Sequence, residues 1–165
     1  MFDLKTLSPE AIDRSLAKAQ HYRLLNEPVQ AESICLDVLR IDPAHQQAFT
    51  TLLLALTDQF GHGAAEAVTR AREVVPKLHA EYDRAYYSGI IFERRASARL
   101  HGGSAGGAAA AYDLYHQAMD FYAMAEALSP PGNEDARLRW NTCARQIERH
   151  KLVPPAETGE PLMLE

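Results

Sequence analysis

Cysteine is scarce in this chain, with two in 165 residues. Cys35 and Cys143 each fall on the apolar stripe of an expected buried helix, where a thiol behaves as a small hydrophobe. They predict free core thiols in a reducing compartment rather than a disulfide framework. Basic residues are also too few for a nucleic-acid protein. Seventeen Lys and Arg stand against 22 Asp and Glu, a formal charge of −5, whereas a phosphate-backbone footprint needs a basic excess. The arginines at Arg94, Arg95 and Arg99 are the local exception. No apolar run approaches the length that spans a bilayer. The opening MFDLKTLSPE has no cationic start followed by an apolar stretch, so it does not read as a secretory signal. The expectation is a cytoplasmic protein without membrane or nucleic-acid partners. Strand signals are missing too, because apolar residues recur at helical intervals throughout.

Chemistry is equally thin. The glycine cluster at 102–107 superficially resembles a phosphate-cradling loop, but such loops follow a strand and carry a lysine or an acidic partner downstream. Here the cluster follows a helix, and no lysine occurs between Gly102 and His150, so a hairpin connection is expected. Seven histidines include no metal-ligand spacing beyond His116 and Asp120 one turn apart, a pairing that arises by chance in most helices. No serine or cysteine sits in a nucleophile turn or beside a recognisable base, and Cys143 lies mid-helix beside Trp140. The sequence predicts no enzyme, no cofactor and no metal.

What is present is helical. Composition is 47% apolar and 24% charged, and the length suits one domain, residues 1–150, followed by a proline-rich acidic tail at 151–165 expected to be flexible. Ser8-Pro9-Glu10 opens a helix, with serine as a cap and proline at the first position. Ile12, Leu16, Ala19 and Tyr22 then share one face. Asn26-Glu27-Pro28 breaks it. Ala31, Cys35, Val38 and Leu39 make a second stripe that Asp42-Pro43 ends. A third helix from Gln46 to about Phe60 is apolar nearly all round, as a helix packed on several sides must be. Ala64, Val68 and Ala71 repeat the spacing of Ala31, Cys35 and Val38, and Pro76 stands where Pro43 stood.

A small residue at the helix crossing, an aromatic three residues later and a closing proline together resemble a tetratricopeptide repeat, a helix–turn–helix unit of roughly 34 residues. Residues 12–43 and 45–76 carry the resemblance well. Residues 82–130 form an elongated third unit: Ala85, Gly89 and Phe92 match the first-helix positions, but the helix after the glycine cluster is much longer than the family's. A seventh helix from Asn133 to about His150 carries Ala136, Trp140, Cys143, Ala144 and Ile147 inward and Arg137, Arg139, Arg145 and Arg149 outward. The resemblance implies an all-α right-handed solenoid of three antiparallel pairs with a capping helix.

It also implies a concave groove lined by the first helices of each pair, holding a partner's segment. By that resemblance the groove positions are Asp13, Leu16, Gln20 and Arg23, Phe49 and Leu53, and Asp83, Tyr86, Ile90 and Glu93. Apolar contacts would come from Leu16, Phe49, Leu53 and Tyr86, with Gln20, Arg23 and Glu93 setting register. The clamp with which one branch of the family grips a terminal carboxylate is not expected, since Leu16, Gln20, Asp83 and Tyr87 occupy its positions. The implied function is a scaffold or adaptor. Two alternatives stay open: a small-anion sensor built on Arg94, Arg95 and Arg99 in the long hairpin, and a structural homodimer formed through the groove.

Overall fold

The computed structural model describes residues 2–61 and 65–155. Among them the chain forms seven α-helices and no strand: α1 Ile12–Leu24, α2 Pro28–Ile41, α3 Gln46–Thr57, α4 Ala65–Val74, α5 Glu81–His101, α6 Gly107–Leu128 and α7 Asp135–Arg149. The all-α expectation holds. Each boundary has a local cause. Pro9 starts a 3₁₀ turn, Pro9–Ala11, ahead of α1; the Ser8 side chain makes no capping bond, so the proline's fixed φ, not the hydroxyl, sets the entry. Asn26 adopts a left-handed φ of 58° and the Glu27 N–H donates to the Tyr22 carbonyl, a Schellman stop for α1. His45 Nδ1 accepts from the Ala48 N–H and caps α3. Asn133 Oδ1 accepts from the Asp135 N–H at the start of α7.

Consecutive helices pack on one another: α1 on α2, α2 on α3, α3 on α4, α5 on α6 and α6 on α7. In addition α1 touches α3, and α3 touches α5, so α1, α3 and α5 share a layer. One core cluster joins α1–α4 around Leu16, Cys35, Val38, Leu53 and Leu56. A second joins α5–α7 around Ile90, Tyr115, Tyr122 and Cys143.

Two boundary expectations need correction. Helix α3 stops at Thr57, and Phe60 folds back into the core from the turn beyond it. On α4, Ala71 is buried and Val68 half-buried against the core, as their spacing predicts, and Ala67 and Val74 are buried beside them; Ala64 lies outside the described residues. The tail does not begin at Lys151. Lys151 is left-handed at φ 50°, the Leu152 N–H bonds the Ile147 carbonyl, and the Leu152 side chain enters the second core cluster. This is the same Schellman device that ends α1, with its hydrophobic contact. The tail from 156 lies outside the described residues. On α7, Trp140 is 37% exposed, because no described element lies beyond this last helix to cover so large a ring.

The α5–α6 hairpin depends on two glycines. A Cβ on Gly107 would stand 2.7 Å from the Arg99 carbonyl oxygen, so the connection between the helices can close only without one. A Cβ on Gly89 would stand 2.5 Å from the Tyr122 ring. Replacing Gly89 by alanine gains about 1 kcal/mol of helix propensity but forces apart the largest buried ring of the second core, at a cost of about 1–3 kcal/mol or more. Gly89→Ala is therefore expected to lower the denaturant midpoint of unfolding; a raised midpoint would show that α5 and α6 do not approach this closely.

Candidate functional site

Burial divides the sequence-derived groove residues. Leu16, Leu53, Phe49 and Ile90 are core side chains, essentially without exposed surface. They cannot receive a partner, and their reading as contact positions is corrected on that ground. The cause is helix pairing: α1 packs chiefly on α2, α3 on α2 and α4, and α5 on α6, so their apolar stripes are spent on those partners. A Leu buried this way contributes about 1.5–3 kcal/mol to the fold. Asp13 and Gln20 remain exposed on α1. Asp83 is half-buried, and desolvation raises its carboxyl pKa above the usual range. Tyr86 is half-buried in a cluster, stacked on Tyr82 at 5.6 Å, edge-on to Tyr87 at 5.4 Å and tilted toward Tyr122 at 5.8 Å.

Glu93 is structural. It is 9% exposed, and both carboxylate oxygens are used: Oε2 accepts from the Tyr122 hydroxyl, and Oε1 from Arg139 Nη1 at 3.0 Å. Arg139, expected to face outward, turns inward to meet it. Burial alone would push the Arg139 pKa down; the Glu93 charge and a hydrogen bond with Tyr86 outweigh that and raise it. The Tyr122 hydroxyl is held neutral, its pKa raised by burial and then by the neighbouring Glu93 charge.

Arg94, Arg95 and Arg99, the three arginines named as an anion site, do not converge. Arg94 turns toward α3, where Asp58 lies between it and Arg23: Arg23 Nε donates to Asp58 Oδ2 at 2.7 Å, and an Arg94 nitrogen stands 3.7 Å from Oδ1. Arg94 Nε is buried without a hydrogen-bond partner. Arg95 lies over the Phe92 ring, and Arg99 is exposed.

What the odd helices do present is a polar trough. One cavity of about 530 Å³ is lined by Arg23, Leu24, Asp58, Arg94, Ser97 and His101, among others. A second, about 400 Å³, is lined by Arg94, Ser97 and His101 again, together with Gln146, Arg149 and His150 from the end of α7. The three shared residues make the cavities neighbours along α5. His101 Nδ1 donates to the Ser97 carbonyl at 2.8 Å, and its ring lies edge-on to His150 at 6.1 Å. At the mouth, Leu24 is 86% exposed. Of the residues named from the sequence, only Arg23, Glu93 and Arg94 line this trough. Asp58, His101, Arg149 and His150 were missed, because they sit at helix ends and carry no spacing signal. The exposed Leu24-Leu25 pair, off the stripe set by Leu16 and Ala19, was the one legible hint.

Among the described residues no group of three His, Cys, Asp or Glu side chains is placed to hold a metal ion, and no helix is long and apolar enough to cross a membrane. Comparison with protein-family models, with curated proteins and with solved structures gives no match to the chain.

Both thiols are buried, and desolvation pushes each from 9.0 to about 12. Tyr115 is likewise pushed from 10.0 to about 12, chiefly by burial. A folded-state pKa above the unfolded value means the native state keeps a proton that the unfolded chain releases. The associated stability is whole below pH 9.0 and is lost as pH rises toward about 12. Unfolding free energy should fall by roughly 1.4 kcal/mol per pH unit for each such group in that window. Replacing Cys143 by alanine should flatten the fall; an unchanged slope would place the thiol in water.

Proposed function

We propose that this chain is a tetratricopeptide-like scaffold or adaptor, a right-handed solenoid of three helical pairs with α7 as its cap, and that it works in a reducing, cytoplasmic setting. The resemblance of residues 12–43 and 45–76 supports the architecture, as does the contact of α1 with α3 and of α3 with α5. The odd helices are then the concave layer, and the trough they line takes a segment of a partner protein. The observation that carries this reading is the pair of cavities joined through Arg94, Ser97 and His101.

Recognition differs from the apolar groove suggested by the sequence. The partner's polar and charged groups meet Arg23, Asp58 and Arg94 at one end and Gln146 and Arg149 at the other, while Leu24 offers an apolar anchor at the mouth. Arginine supplies forked donors, and the exposed part of the Arg94 side chain is the one a partner in the trough can reach. Asp58 in the wall favours a partner of mixed charge over a phosphate polymer. A homodimer through the groove loses its basis, because the apolar residues that would have formed it are core residues.

Affinity capture from the native host's lysate, comparing wild type with a Leu24→Asp, Arg94→Glu variant, tests the reading. Both positions are at the trough surface, so the variant is expected to fold. A protein retained by wild type and reduced roughly tenfold or more on the variant, a difference of about 1.4 kcal/mol, is the expected result. An identical captured set would overturn it.

A further inference from the structure

Beside the trough, α4 and α5 gather positive charge that no described residue neutralises. Arg72 and Arg95 lie over the same Phe92 ring, their guanidinium carbons 5.8 Å and 5.5 Å from its centroid. Arg99 follows Arg95 by one turn, the spacing at which like charges on a helix repel. Among the described residues none of the three forms an ion pair with a carboxylate. Their near neighbours behave differently: Arg70 on α4 pairs with Glu32, and Arg94 on α5 lies near Asp58. The crowding is felt by Arg95, whose pKa is lowered first by burial and then by the charges of Arg72 and Arg99. In a protein of net charge −5, three uncompensated cations at one place are a cost to the fold.

They stand beside a hollow. A cavity of about 530 Å³ has Phe60, Val68 and Ala98 among its walls, with Arg95, Arg99 and Ser104 as its polar members. Phe60 is a core side chain, and Val68 and Ala98 are half-buried against the core, so the hollow is apolar on one side and cationic on the other. It does not include Arg94.

The geometry points to a binding site for a phosphomonoester with an apolar organic part, the phosphate held by Arg95 and Arg99, with the charge of Arg72 close by over Phe92, and the organic part against Phe60, Val68 and Ala98. A single carboxylate is satisfied by one forked guanidinium, whereas three mutually repelling guanidiniums are relieved by a dianion with three acceptor oxygens. The Ser104 hydroxyl adds a donor from the α5–α6 connection. This site borders the trough, sharing Phe60 and Ala98 with its first cavity, and takes a different chemistry.

Calorimetric titration of the full chain with phenyl phosphate, inorganic phosphate and benzoate tests it, alongside Arg99→Gln and an Arg95→Gln, Arg99→Gln double variant, with Arg145→Gln on α7 as a control. Phenyl phosphate should bind wild type and the control with a millimolar or tighter dissociation constant, and about tenfold more tightly than either other probe. Binding should weaken roughly tenfold in Arg99→Gln and become undetectable in the double variant. The ligand-free melting temperature of Arg99→Gln should equal or exceed that of wild type, since repulsion is relieved. No saturable binding of phenyl phosphate, equal binding of benzoate or of inorganic phosphate, or unchanged affinity in Arg99→Gln would each overturn the assignment. So would a lower melting temperature for that variant, which would make Arg99 a structural residue.

Discussion

A buried carboxylate holds the C-terminal half of this protein together. Glu93 on α5 accepts hydrogen bonds from Tyr122 on α6 and Arg139 on α7, and all three helices are tied at one point. Removing an ion from water costs several kcal/mol, repaid only where every acceptor is used. Here both oxygens are used, so the pair dictates position and leaves little freedom for the helices to slide. The same tyrosine explains Gly89 one turn earlier: the Tyr122 ring lies where a Cβ would be, and its hydroxyl can reach Glu93 only because α6 comes that close.

Once Glu93 is committed inward, its neighbours have no choice of direction. Each residue of a helix turns roughly 100° from the last. Glu93 faces α6 and α7, Arg94 swings to Asp58 beyond α3, and Arg95 swings to Phe92 and the α4 side. Three consecutive charged residues thus serve three environments: a largely buried ion pair, the wall of a polar trough, and a cluster of arginines that no described carboxylate pairs. Arg94 therefore faces the trough and Arg95 the arginine cluster, and the two neighbouring cavities, which share Phe60 and Ala98, are suited to different ligands.

Much of the fold was legible. The stripes at Leu16–Ala19 and Ala31–Cys35–Val38 are buried as their periodicity requires, and proline, glycine and Asn26 mark the breaks. Gly89 could be named as a close-packing position because, with Ala85 and Phe92, it matches the first-helix positions of the repeat that the sequence resembles. The site was far less legible. Periodicity reports which side chains face a helical neighbour, not whether another layer covers them, so Leu16, Phe49, Leu53 and Ile90 read equally well as groove or as core. The pairing of Glu93 with Arg139, 46 residues apart in sequence, leaves no local trace, and an Arg-Arg pair such as Arg94-Arg95 looks like one patch until the helix separates its members. Leu152 was hidden for another reason: a single leucine before Val153-Pro154-Pro155 resembles the start of a tail, and only the left-handed Lys151 turns it back into the core.

The dependence on Glu93 is tested most directly by a double-mutant cycle, measuring unfolding free energies of Glu93→Leu, Arg139→Met and the combined variant. Each single change strands a partner's charge or hydrogen-bonding groups in a poorly hydrated site and should cost about 2–4 kcal/mol. The double variant, with no stranded charge, should recover part of that loss, giving a coupling of about 1–3 kcal/mol. Single losses that are small and simply additive would contradict the account, because α5, α6 and α7 would then be held by apolar packing alone and the positions of Arg94 and Arg95 would need another cause.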